Sequence, residues 1–80
     1  MVGMVIKLSD VLIKEGATIF AIEGETSFRD RIQSLGFTPG CRVKLLHQSL
    51  FNGPLALEVR DTKIALRKQD AQHILVHSMS

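Results

Sequence analysis

Two segments in the second half of the chain alternate apolar and polar residues, the period of a β-strand with one buried face. In the first, from Cys41 onward, Val43 and Leu45 share one face and charged side chains occupy the other. In the second, 55–60, the inward positions are Leu55, Leu57 and Val59. We therefore predict two antiparallel strands that each cover the core with one face.

An earlier strand is predicted over Ala17–Glu23, where β-branched and aromatic residues follow one another. Such a composition is typical of a strand buried on both faces, and we expect Phe20 to lie in the core. The apolar residues 1–6 fit either a short strand or a lead-in to the fold.

The chain after the second alternating strand predicts a hairpin. Asp61 and Thr62 form its two-residue turn, although such turns prefer glycine, and Lys63–Arg67 forms its second strand. The range 68–73 then predicts a single helical turn, and Ile74–Val76 a closing strand.

One α-helix is predicted over about 27–35, because Phe28, Ile32 and Leu35 recur at positions i, i+4 and i+7. We expect this face, including Phe28, to pack on the core. Thr26 or Ser27 has the hydroxyl that commonly caps a helix start.

A structural turn is predicted where this helix ends. Gly36 provides the left-handed residue that stops a helix, and Pro39 and Gly40 then reverse the chain. We expect Leu35, the last helical residue, to seal the core, so that the turn specifies the fold.

Size and composition favour a single domain over residues 1–80. A chain of 80 residues with 45% hydrophobic and 22% charged residues builds one core and has no room for a second. Five or six short strands in so small a protein need closure to hide their edges. The sequence therefore predicts a mainly β fold, a small antiparallel barrel with one short helix.

The cysteine content and the lack of long apolar runs indicate where in the cell the protein is expected. The formal net charge is only +2, which names no partner, and the single cysteine cannot form an internal disulfide. No apolar run approaches the roughly 20 residues that cross a bilayer, and no signal sequence is recognisable. We expect a cytoplasmic protein that does not itself span the membrane.

Residues that could carry chemistry are sparse. Cys41, His47, His73 and His77 have no metal-ligand spacing, and no CxxC pair is present. The arginine that follows Cys41 could lower its pKa, but the chain has no nucleophile–base motif and no phosphate-binding loop. We therefore expect no catalytic residue, no metal site and no cofactor.

Nucleic-acid binding is the alternative raised by the basic residues. Five are predicted to face outward on strands: Arg42, Lys44, Arg60, Lys63 and Arg67. Binders of single strands also use exposed rings as stacking platforms, whereas Phe20 and Phe28 are expected in the core. The pattern favours a solvated charged face and no nucleic-acid partner.

The segment Leu50-Phe51-Asn52-Gly53-Pro54 places two large apolar residues in a loop. Loops lie on the surface, so this pair either covers the open end of the barrel or contacts a partner. We predict a partner-binding surface formed by Leu50, Phe51, Asn52 and Pro54 together with outward-facing Arg42 and Arg60.

Three stretches in order resemble the FeoA family of ferrous-iron transport proteins. The opening Leu8-Ser9-Asp10 is followed by Gly16-Ala17-Thr18-Ile19. The most specific stretch runs from Arg31 to Val43 and contains the turn Leu-Gly-Phe-Thr-Pro-Gly. The third is Ile64–Ala71, similar to the last hairpin strand and short helix of the family. The resemblance extends from Leu8 to Val76.

This resemblance implies an SH3-like barrel and a non-enzymatic role in bacterial iron homeostasis. Its members are small cytoplasmic proteins thought to act on FeoB, a membrane transporter with a G-protein domain, which would place the chain peripherally at the inner membrane. Weak self-association is left open. The family loop often reads Pro-Leu-Gly-Asp-Pro, so only Pro54 is kept here, and we expect a matched transporter partner.

A second interpretation uses the same barrel. It also occurs as the C-terminal domain of iron-dependent repressors resembling the diphtheria toxin repressor. A freestanding SH3-like regulatory module, binding a proline-containing segment, is therefore the alternative function.

Overall fold

The computed structural model describes residues 4–11, 14–48 and 53–78, and within them the chain is mainly β, as predicted. The strands and helices, in chain order, are β1 Val5–Lys7, β2 Gly16–Ile22, α1 Thr26–Ser34, β3 Arg42–Gln48, β4 Leu55–Val59, β5 Thr62–Leu66, α2 Lys68–Ala71 and β6 Ile74–Ser78. A 3-10 turn, Leu8–Asp10, follows β1.

The strands form one antiparallel sheet in the order β1-β6-β2-β3-β4-β5. The predicted closure is wrong, because the sheet is not closed and β1 and β5 are its edges. Register shifts interrupt β2 between Ile19 and Ala21, and β3 between Leu45 and His47. Such bulges bend and twist a sheet, so this one curls around its core without pairing its edges.

The core lies inside this curled sheet. The predicted inward faces of β3 and β4 are confirmed, because Val43, Leu45, Leu55, Leu57 and Val59 are all buried. The remaining buried apolar residues come from β2, β5, β6, both helices and the segments beside them: Leu8, Val11, Ala17, Ile19, Ile22, Ile32, Phe37, Leu66, Ala71, Ile74 and Val76.

Strand β2 is buried on one face, not on both as predicted. Ile19 and Ile22 are in the core, but 51% of Phe20 is exposed. The Phe20 ring packs edge-on against His77 of β6, with 4.9 Å between ring centroids. Helix α1 contributes Ile32 to the core.

Helix α1 begins one residue earlier than predicted. Its N-cap is Glu25, and no side chain makes a capping hydrogen bond. Thr26 and Ser27 are not the caps, because both already lie inside the first turn. Phe28 is half-buried and packs against the core, as expected.

The turn after α1 exchanges the expected roles of two apolar residues. Leu35 is 43% exposed, whereas Phe37 is completely buried. Gly36, at φ +109°, reverses the chain and directs the next side chain inward. The Gly36 N–H donates to the Gln33 carbonyl at 3.0 Å. Thus Phe37 seals the core, and the prediction for Leu35 is wrong.

The β4–β5 hairpin turns one residue earlier than predicted. Val59 pairs with Thr62, so the turn residues are Arg60 and Asp61. Both have left-handed backbones, at φ 52° and 65°. Val59 is buried, as predicted. Helix α2 and strand β6 confirm the helical turn and the closing strand predicted at the end of the chain.

Candidate partner-binding surface

The predicted partner-binding residues fall into two groups and an undescribed segment. Leu50, Phe51 and Asn52 lie outside the described residues. Pro54 is exposed immediately before β4. Arg42 is exposed at the start of β3, and Arg60 is exposed just after β4.

Sheet register separates these two groups. Val43 pairs with Val59 at one end of the β3–β4 ladder, and Gln48 pairs with Leu55 at the other. Arg42 and Arg60 therefore lie at the end opposite Pro54. A strand rises about 3.3 Å per residue, so the length of β4 separates the groups by roughly 17 Å.

The structure does bring Arg42 and Arg60 together. They line a shallow depression of about 430 Å³. Its wall includes another cation and two carboxylates, and the complete lining is Gly16, Arg42, Val43, Lys44, Glu58, Arg60 and Asp61. Lys44 and Glu58 are cross-strand partners. The acidic residues offset much of the positive charge, so this depression is of mixed sign.

Arg60 also forms a cluster with two residues that the sequence did not single out as its partners. Its Nη2 donates to the Cys41 Sγ at 3.0 Å and to the Thr38 Oγ1 at 3.4 Å. The Thr38 hydroxyl and the Cys41 thiol are 3.0 Å apart. Arg60 lies far from both in sequence, so no local pattern could predict the contact. Arg60, and not the adjacent Arg42, is the arginine at the thiol.

The cluster changes the acidity of the thiol. The hydrogen bond with the Thr38 hydroxyl lowers the pKa of Cys41 below its ordinary value, and partial desolvation opposes this effect. The hydrogen bond and charge of the Arg60 guanidinium lower the pKa further. A thiol with a lowered pKa forms the nucleophilic thiolate more readily.

The backbone at Arg60 is left-handed because Arg60 and Asp61 are the two central residues of the β4–β5 hairpin turn. Two-residue turns of this kind require a positive φ at both central positions. The turn holds the Arg60 side chain beside Thr38 and Cys41. The hydrogen bonds of this cluster and the lowered pKa of its thiol make this end of the sheet a candidate functional site in addition to the predicted loop.

A second depression lies at the Pro54 end of the sheet. It has a volume of about 350 Å³ and is lined by Pro54, Arg67, Lys68, Gln69 and Gln72. The last pair of the β4–β5 ladder, Leu55 with Leu66, explains this arrangement, because it sets Pro54 beside Arg67. We call this depression the α2 groove.

Other interpretations can be compared with the described residues. No three His, Cys, Asp or Glu side chains among them are grouped to hold a metal ion. No helix within 4–11, 14–48 and 53–78 is both long and apolar enough to cross a membrane. The sequence argument against nucleic-acid binding assumed that Phe20 is buried, but the Phe20 ring is half exposed. The absence of a nucleic-acid partner therefore stays a prediction.

Comparison with known proteins identifies relatives along nearly the whole chain. A model of the FeoA domain matches residues 6–78. An Fe(2+) transport protein A/Fe(2+) transporter FeoB fusion protein of Porphyromonas gingivalis is 30% identical over 74 residues. That match covers 92% of this chain and 9% of the fusion protein, so the chain spans about a tenth of that relative's length.

Solved structures confirm the SH3-like architecture. An iron uptake regulatory protein (FeoA) superposes with a TM-score of 0.89 at 26% identity, covering 95% of this chain and all of that one. Zinc-complexed FeoA of Stenotrophomonas maltophilia, described as an SH3 domain protein, gives 0.76 at 25% identity, with 89% and 88% covered.

A manganese-dependent transcriptional repressor shares the fold. It superposes with a TM-score of 0.86 at 19% identity over 96% of this chain and 43% of its own. This likeness concerns the fold alone.

The domain match over 6–78, the fusion relative and the FeoA structures agree with one another. The chain therefore belongs to the FeoA family, which is linked to Fe(2+) transport.

Proposed function

We propose that this chain is a non-enzymatic accessory protein of bacterial ferrous-iron uptake, which binds the cytoplasmic part of an FeoB-type transporter. The observation that carries the proposal is the P. gingivalis fusion protein, in which a related segment and a transporter share one polypeptide. Fusion raises the local concentration of one partner around the other, as suits proteins that act together. The chain would then be cytoplasmic and held at the inner membrane through the transporter.

We further propose that contact uses the Leu50, Phe51, Asn52 and Pro54 loop together with Arg42 and Arg60. The two exposed arginines can donate hydrogen bonds to a polar partner surface, and the apolar loop residues suit a hydrophobic contact. Because Pro54 and the arginines lie at opposite ends of the β3–β4 hairpin, the two contributions can be removed separately.

Binding to the FeoB-type transporter encoded in the same genome tests the proposal. The purified transporter, in detergent and with guanine nucleotide present, is titrated with the labelled chain. Phe51→Asp and the double variant Arg42→Glu/Arg60→Glu should each weaken binding by about tenfold or more, because each removes a buried contact or reverses charge. Arg29→Glu, on the exposed face of α1, is the control for charge.

Two results would count against this assignment. Failure of the unmodified chain to bind the transporter would refute the partnership. Unchanged binding by Phe51→Asp, with an intact circular dichroism spectrum, would refute the role of the loop. Nucleic acid should not bind at physiological salt, which fluorescence anisotropy with labelled oligonucleotides measures.

The alternative function is a freestanding regulatory module, and the fold shared with the manganese-dependent repressor is the observation that favours it. On this alternative the chain binds a proline-containing segment and has no affinity for the transporter. Amide chemical shifts that respond to a proline-rich peptide, in a chain that does not bind the transporter, would support it.

A further inference from the structure

The α2 groove has the shape and polarity of a binding surface. Its floor is the junction where β4 begins and β5 ends, fixed by the pairing of Leu55 with Leu66. Lys68 and Gln69 of helix α2, together with Gln72 directly after it, line one wall of the groove. Among the described lining residues, Pro54 alone has an apolar side chain.

The two charged side chains among the described lining residues of the groove are both basic. They are Arg67 and Lys68. Asp70, the acidic residue of α2, points to the neighbouring helix, where its Oδ2 lies 3.6 Å from the Arg31 Nη2 and 22% of its side chain is exposed. It is thus engaged by another cation.

The depression at the other end of the sheet provides the contrast. There Arg42, Lys44 and Arg60 share the wall with Glu58 and Asp61. A negatively charged ligand would meet both attraction and repulsion at that end. In the α2 groove the described lining residues are two cations, two neutral carboxamides and Pro54, so the local charge favours an anionic partner there.

The neutral residues indicate which kind of anion fits. Each glutamine carboxamide can donate to a carbonyl and accept from an N–H, the groups that a peptide backbone presents. Arginine binds carboxylates with two parallel hydrogen bonds. Because the partner proposed above is a protein, we expect these cations and carboxamides to meet a peptide segment with acidic side chains, which offers carboxylates and backbone amides together.

We propose that the α2 groove docks an acidic peptide segment of the partner protein, with carboxylates at Arg67 and Lys68 and the peptide backbone at Gln69 and Gln72. This inference rests on the proposed function and adds to it the chemistry of the recognised segment. It also gives Pro54 a role as the apolar edge over which the segment passes.

Arg67→Glu is a clean perturbation of the groove. The contribution of Arg67 to helix α2 comes from its main chain, because its carbonyl accepts from the Asp70 and Ala71 N–H groups at 3.0 Å each. The side chain is exposed and makes no capping hydrogen bond. Reversal of its charge should therefore leave the fold intact, which circular dichroism verifies.

The first experiment uses hexaglutamate as the probe and follows the amide resonances of the isotope-labelled chain. We expect the amide shifts to be concentrated at residues 67–72. Arg67→Glu and added salt should each weaken the affinity for hexaglutamate about tenfold, and Arg29→Glu should leave that affinity unchanged. Equal shifts with hexaglutamine would overturn the inference. So would shifts centred on the Arg42 depression, or equal shifts with inorganic phosphate or an oligonucleotide.

The second experiment separates this inference from the proposed function. If the transporter binds the unmodified chain and Arg67→Glu equally well, the groove is not the docking site, while the partnership stands. If hexaglutamate binds the groove but the transporter does not bind the chain, the partnership fails and the acidic specificity stands. Binding of the transporter that is lost in Arg67→Glu and kept in Arg29→Glu supports both.

Discussion

The burial of Phe37 provides the sharpest test of how this fold is held together. Phe37 is completely buried, and it is the largest side chain that the structure buries fully. Replacement of a buried phenylalanine by alanine costs about 3–5 kcal/mol, since apolar contacts are lost and a cavity remains. Unfolding free energies of domains are about 0.05–0.15 kcal/mol per residue, so Phe37→Ala should remove a large part of the total.

Leu35→Ala is the matched control from the same turn. Leu35 is 43% exposed, so it has much less burial to lose, and we expect a cost of about 1 kcal/mol. Urea titration followed by circular dichroism measures both values. In thermal unfolding, Phe37→Ala should lower the Tm by more than about 12 °C.

The order of these two effects is what matters. If Leu35→Ala destabilised the protein more than Phe37→Ala, Leu35 would be the residue that seals the core and the described path of the turn would be wrong. Equal small effects would show that neither residue anchors the turn. A change in the slope of the urea transition would require separate treatment of the unfolded state.

Other predictions concern the turns and the thiol. Asp61→Gly should stabilise the protein by about 0.5 kcal/mol in urea titrations, because glycine relieves the left-handed backbone; a loss of stability would contradict this. Gly40→Ala should cost about 1–2 kcal/mol from its φ of +91° alone, since no described residue other than its chain neighbours has a heavy atom within 4 Å of the added methyl. Alkylation of Cys41 by iodoacetamide should accelerate as pH rises through its lowered pKa. Thr38→Val and Arg60→Gln should each move that midpoint to higher pH, and an unchanged midpoint would exclude the cluster as its cause.

Local patterns predicted most of the elements correctly. The two-residue period around Val43 and Leu57 determines which face of each strand is buried, because alternate side chains point to opposite sides. The helical period around Ile32 gave α1 to within one residue at each end. These signals depend on neighbours in sequence, which a sequence displays directly.

The errors arose where the outcome depends on distant contacts. The β-branched and aromatic residues of β2 predict a buried Phe20, yet Phe20 is half exposed. Whether another element covers the outer face of β2 depends on the tertiary structure. The exchange between Leu35 and Phe37 depends on the direction of the chain after Gly36. The thiol cluster joins Arg60 to Cys41 across two strands, which no local spacing predicts.

The sequence by itself determined the family, the order of the elements and the inward faces of β3 and β4, because these follow from motifs and periodicity. Only the tertiary structure decided that the sheet stays open, that Phe37 closes the core, and that Arg42 and Arg60 lie opposite Pro54. The physical reason is that register, bulges and backbone reversal set these distances, and each depends on strands that meet only in the folded chain.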